Sequence, residues 1–151
     1  LVEGDTTIPI PEGWRGSARQ YHEMVASNAA TVGRSFGAVR GLDEAGITRY
    51  IWNNPMDEAT CARCSAMDGK VFNVKDGQGL MDRILDADRP EDVKEIHPWL
   101  SAENLLGLMS GPGHISAGDS ARLAAAGVNL PPIHGRCRCT VDIVMESERY
   151  A

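Results

Sequence analysis

All four cysteines of the chain fall in two short clusters. The first is Thr60-Cys61-Ala62-Arg63-Cys64. The second is Pro131-Pro132-Ile133-His134-Gly135-Arg136-Cys137-Arg138-Cys139-Thr140, which also carries one of the four histidines. A Cys-x-x-Cys turn aims two thiolates at one point, and a second pair from a distant segment completes a tetrahedron, the geometry zinc accepts most readily. Cys137 and Cys139 are separated by one residue, so in a strand both side chains leave the same face. His134 offers a fifth donor for four places. The favoured ligand set is Cys61, Cys64, Cys137 and Cys139; three cysteines with His134 is its rival. Two disulfides, or four free thiols packed as small apolar groups, are the alternatives without metal. The clustering favours metal. So does the start of the chain, where residues 1–5 show neither a basic nor an apolar signal region, which predicts a reducing compartment.

The elements that must position these groups follow from pattern. Residues 1–12 read as an extended arm, because Pro9 and Pro11 disfavour helix. Residues 13–41 read as the main helix, with Tyr21, Val25, Val32, Phe36 and Val39 at helical spacing. Asn28 lies within that stripe and needs a hydrogen-bond partner if buried. Gly33 and Gly37 weaken the helix but permit close approach of another backbone. Residues 48–53 form a β-branched and aromatic strand. The first cysteine pair then sits on a knuckle, Asp68-Gly69 turns the chain, and residues 70–74 form a second strand. A long excursion runs from about 75 to 130. It contains a short helix at 80–85, an acidic loop at 86–92, a short helix capped by Ser101, and another at 117–125 stopped by Gly127. Residues 138–145 alternate and supply a closing strand near the first knuckle. The expected fold is α+β: a long N-terminal helix on a small antiparallel sheet with a zinc knuckle, one domain over 13–151 carrying the helical excursion as an insertion.

Composition narrows the function. With 151 residues, 42% hydrophobic and 24% charged, the chain can build a core and is not a disordered tail. A net charge of −6 opposes broad electrostatic binding to nucleic acid. No run approaches the ~20 apolar residues of a membrane span, so no membrane partner is expected. The exception in charge is local: Arg63, Arg136 and Arg138 surround the cysteine clusters and can reach a phosphate, or pair with acidic neighbours.

Taken together, Trp52, Asp57-Glu58-x-Thr60-Cys61-x-x-Cys64-x-x-Met67-Asp68-Gly69-Lys70-Val71-Phe72 and Pro131-Pro132-x-His134-x-x-Cys137-Arg138-Cys139-Thr140 resemble the C-terminal region of phage Mu F-like minor head proteins, the phage head morphogenesis proteins. Ala45-Gly46-Ile47-Thr48-Arg49-Tyr50-Ile51-Trp52 resembles the helix end and strand that lead into this motif. The likeness covers roughly 21–143 and is interrupted by the excursion, which is longer than the usual link. Ala26-Ser27-Asn28 replaces the Arg-Thr-Glu common in the family's main helix, and Gly135 stands where a proline is frequent. The resemblance implies a virion component, made in the bacterial cytoplasm and acting in head assembly with portal and capsid proteins, and no established enzymatic chemistry.

Two other classes compete. A hydrolase or toxin-like effector would use His134 with Cys137 as base and nucleophile, or a histidine-assisted zinc drawing on His97 or His114. His22-Glu23 begins like H-E-x-x-H, but Ala26 stands where the second histidine belongs, and neither G-x-S-x-G nor a phosphate loop is present. His97 and His114 are lone histidines, expected at the surface or satisfied. A zinc-knuckle nucleic-acid module would contact packaged DNA through Arg63, Arg136 and Arg138.

Overall fold

The computed structural model describes residues 10–57, 60–110 and 117–144. In chain order the elements are α1 (Ala18–Glu44), β1 (Arg49–Asn53), α2 (Ala62–Met67), β2 (Val71–Asn73), α3 (Val74–Leu85), α4 (Pro90–Ile96), α5 (Ala102–Leu106), α6 (Ala117–Ala125) and β3 (Thr140–Ile143). The protein is α+β, with a long N-terminal helix, a three-stranded antiparallel sheet and further helices around it. Most of the arm, residues 1–9, and the histidine at 114 lie outside the described residues.

Helix α1 starts at a capping box: the Ser17 hydroxyl accepts from the Gln20 N–H while the Gln20 side chain accepts from the Ser17 N–H. It begins later and ends later than the glycine-to-glycine reading. Glycines 33, 37 and 41 are exposed, with open space where a Cβ would stand, so no neighbour within the described chain uses the close approach they permit. The buried positions of α1 are Thr31, Ser35 and Val39, whereas Val32 and Phe36 are only half-buried. The stripe expected to be apolar is therefore polar at its centre, and the reason lies in what it touches, described below.

The sheet order is β2-β1-β3. β1 pairs antiparallel with β2 in the register Tyr50↔Phe72 and Ile51↔Val71, and with β3 in the register Ile51↔Asp142 and Trp52↔Val141. Tyr50 and Trp52 alternate onto one face and are fully buried. They meet Phe72, with ring centroids 5.6 and 6.3 Å away. Around them pack Val39, Met67, Leu80, Leu105, Leu123, Leu130 and Ile133, so the excursion contributes to the same core as the sheet. Cys64, Cys137 and Cys139 belong to that core as well.

Three local readings change. The chain from Cys61 to Met67 forms a short helix instead of a bare turn, with Cys61 as its N-cap. The second strand is shorter than 70–74: Asn73 is already the N-cap of α3, which runs on through the residues assigned to the short helix at 80–85. The acidic loop at 86–92 becomes α4 in its second half. Pro90 occupies the first helical turn, where it lacks only an N–H that has no helical partner, and Glu91 and Asp92 face the positive end of the helix dipole.

The excursion is tied to the sheet by a buried ion pair. Lys70 Nζ lies 3.4 Å from Asp119 Oδ2, and both side chains are fully buried. Asp119 also accepts from the Ser110 N–H and hydroxyl, each at 2.9 Å, and from Arg122. Burial alone would push the Asp119 carboxyl up; the Ser110 donors and Lys70 outweigh it and bring it down to about 2. Beside this pair, the Ser120 hydroxyl donates to the Val71 carbonyl.

Candidate metal centre

The N-cap at Cys61 explains how the first pair is aimed. As N-cap its sulfur turns back over the first helical turn and accepts from the Cys64 N–H at 3.4 Å. One turn later the Cys64 side chain leaves the same face of α2 and enters the core. The second pair lies just before β3, outside the strand that the sequence placed it in, and both thiols are buried.

All five sequence-predicted donors come together. Cys61 Sγ, Cys64 Sγ and a ring nitrogen of His134 form one group with mutual separations under 4.8 Å; Cys64, Cys137 and Cys139 form another. Cys64 belongs to both. His134 Nε2 lies 2.8 Å from Cys64 Sγ and 3.3 Å from Cys61 Sγ. Cys64 and Cys137 sulfurs are 3.9 Å apart. A tetrahedral zinc with its usual metal–sulfur bonds requires sulfur–sulfur edges of about 3.8 Å, so this edge is already of the right length. It is far longer than the ~2 Å of a disulfide, and all four cysteines are free.

The orientation of the imidazole is fixed by its own backbone. His134 Nδ1 sits 2.7 Å from the Gly135 carbonyl oxygen, a contact that needs the proton on Nδ1. Nε2 then carries its lone pair toward the sulfurs, the arrangement by which histidine ligands are oriented. On the other side, Asn54 Nδ2 donates to Cys139 Sγ at 3.1 Å. The Trp52 indole N–H is buried without an acceptor in good hydrogen-bonding geometry, and it faces Cys139 closely enough to draw that thiol down.

The thiols cannot all ionise together without a cation. Hydrogen bonds from Cys139 and Cys64 hold the Cys137 thiol well below the ordinary thiol value. The hydrogen bond to Cys137 raises Cys139 to about 11, and the same partner pushes Cys64 far up. For Cys61, burial acts upward, but the Cys64 N–H and thiol and the Arg63 N–H outweigh it and leave the group below the ordinary thiol value. A divalent ion would relieve the crowding by replacing the shared protons. Chemically the cluster is suited to one soft or borderline ion.

Helix α1 and the excursion hold the second cluster in place. Asn28 Oδ1 accepts from the Arg136 N–H at 3.0 Å, Thr31 Oγ1 donates to the Cys137 carbonyl at 3.2 Å, and Ser35 Oγ donates to the Pro131 carbonyl at 2.9 Å. These residues are spaced i, i+3, i+7 and line one helix face. Asn28, singled out in the sequence as needing a partner, finds it in the Arg136 N–H; Thr31 and Ser35 are what the apolar-stripe reading missed. His97, read as a lone histidine, is buried and bonded at both ring nitrogens, to the Gly127 and Pro132 carbonyls. Sequence pattern gave no sign of that. Nothing in the sequence singled out Asn54 either.

Of the three arginines, Arg138 pairs with Asp57 and Arg63 donates to the Leu100 carbonyl, whereas Arg136 is exposed. Among the described residues no helix is long and apolar enough to cross a membrane. Comparison with family models, with curated proteins and with solved structures gave no match.

Proposed function

We propose that this chain is a structural domain stapled by a single zinc ion, and that it serves in the head of a tailed bacteriophage, at the portal or capsid interior. The observation that supports the staple is the convergence of Cys61, Cys64, His134, Cys137 and Cys139 from two segments 70 or more residues apart on one partly buried point. Zinc suits a set of thiolates and one imidazole with no carboxylate. A closed set of donors inside the core serves folding; a hydrolytic zinc needs a position open to water. The head assignment rests on the resemblance of the paired motifs. Portal or capsid protein is preferred over DNA as the partner because Arg63 and Arg138 are already engaged within the chain.

Two measurements test this. Elemental analysis of chain purified without chelator is expected to give about one zinc per chain with four free thiols. Zinc-loaded chain is expected to bind purified portal or capsid protein of the phage it derives from, and a Cys64→Ser variant to lose that binding. Zinc uptake with no binding to either protein would leave the staple and remove the head role.

A further inference from the structure

A zinc ion uses four of the five donors and leaves one over. The distances show how the five are grouped. Cys61, Cys64 and His134 form one triangle, and Cys64, Cys137 and Cys139 form a second, each with its ligand atoms within 4.8 Å of one another. The described donors close into threes on that span, not into a four. Zinc gathers four of them by drawing a donor of one triangle toward the other. Two triangles that meet at one sulfur also fit a second mode of loading: two ions, each with three donors, bridged by the shared thiolate.

The donor chemistry selects the ion for that mode. The triangles offer four thiols and one imidazole, with no carboxylate in either. A structural zinc takes four ligands, so neither triangle alone completes it. Cuprous ion is softer, favours thiolate and is satisfied by three ligands or fewer. Neighbouring cuprous ions readily share a thiolate. The charge also agrees, because two cuprous ions bring the same positive charge as one zinc ion to the same four thiolates.

The surroundings suit both halves. Cys64, Cys137 and Cys139 are buried, so an ion in their triangle is kept from water and from oxidation. Cys61 and His134 are half-buried, which opens the other triangle to an incoming ion. His134 Nε2 faces Cys64 and Cys61 at 2.8 and 3.3 Å, while its Nδ1 is held by the Gly135 carbonyl. The outer sulfurs have N–H support: Asn54 donates to Cys139, and the Cys64 N–H donates to Cys61.

We propose that the five donors form a two-ion site for cuprous ion, with Cys64 as the bridging thiolate, Cys61 and His134 completing one ion and Cys137 and Cys139 the other, and that copper loading displaces zinc. This rests on the five residues being metal ligands, as in the zinc reading, and not on zinc being the resident ion. No electron moves in the exchange: copper enters as the monovalent ion and zinc leaves as the divalent one.

The test titrates the full, zinc-loaded chain with cuprous ion under anaerobic conditions, with bathocuproine disulfonate as competing chelator and a zinc-sensitive dye present. The expected result is uptake of about two copper ions per chain as about one zinc is released. X-ray absorption at the copper edge is expected to show three-coordinate copper with copper–copper scattering. His134→Ala removes a donor from one triangle only. It is expected to weaken the second copper at least about tenfold, to hold the first at wild-type affinity and to keep zinc through the four thiols. Saturation at one copper per chain, or two coppers without copper–copper scattering, overturns the proposal and leaves the zinc reading in place. A His134→Ala variant that takes both ions at wild-type affinity also overturns it. Should that variant fail to fold, the wild-type stoichiometry and absorption spectrum decide the matter alone. A chain that is purified without zinc and still takes up two bridged coppers removes the zinc reading and upholds this one.

Discussion

Cys64 is the one donor that belongs to both halves of the cluster, so its loss is expected to be the most damaging of the five. Cys64→Ser should abolish stoichiometric zinc binding, whereas Cys61→Ser, at the rim, should weaken it and leave a measurable affinity; competition with a zinc-sensitive dye separates the two. Residues behind the ligands should matter less, but detectably. Asn54→Ala removes the N–H on Cys139 and is expected to lower zinc affinity by about 10- to 100-fold with little change in fold, read by the same competition. The donors were legible in the sequence because thiols and imidazole are rare and their clustering is visible in one dimension. Their supports were not, because Asn54, Thr31 and Ser35 are common residues whose role appears only when a segment some 85 to 106 positions away comes beside them.

At the scale of elements, the strands and α1 were readable from periodicity and composition. The first cysteine knuckle was not, because a cysteine at an N-cap is an uncommon way to start a helix and its turn signals suit either outcome. The acidic stretch misled for a related reason: Asp and Glu suit both a solvated loop and the first turn of a helix, and Pro90 permits either. The Lys70–Asp119 pair adds to the attachment of the excursion, and no pattern announces it. Lys70→Met takes one of two cationic partners from the buried Asp119 carboxylate, leaving Arg122 and the Ser110 donors, and is expected to cost about 1–3 kcal/mol in chemical denaturation. The pair also gives a signed pH dependence. The Asp119 carboxyl is lower folded than the ordinary 3.8, so its contribution is complete above about pH 4 and is lost as pH falls toward about 2. That contribution is about 2 kcal/mol, and an Asp119→Asn variant should lack this part of the acid slope. Gly127→Ala should be among the most destabilising single changes, by at least about 3 kcal/mol. It forces a side chain onto a positive φ and into the Ile96 carbonyl, and a thermal melt will show it.

For the whole molecule, the metal centre and the hydrophobic core are one body. Cys64, Cys137 and Cys139 pack among Trp52, Met67, Leu105 and Ile133, and α1, the sheet and the excursion all bear on the second cluster. Removing the ion should therefore be felt as loss of global stability. Structural zinc sites contribute ~10–16 kcal/mol in small peptides, at least as much as the 5–15 kcal/mol by which whole domains are stable. The most direct measurement is a thermal melt of the zinc-loaded chain with and without excess chelator, paired with its zinc content. The account predicts about one zinc per chain and a cooperative transition that is abolished or moved down by tens of degrees when the ion is removed. A chain that carries no zinc, or one that melts at the same temperature after the ion has been stripped, would contradict it.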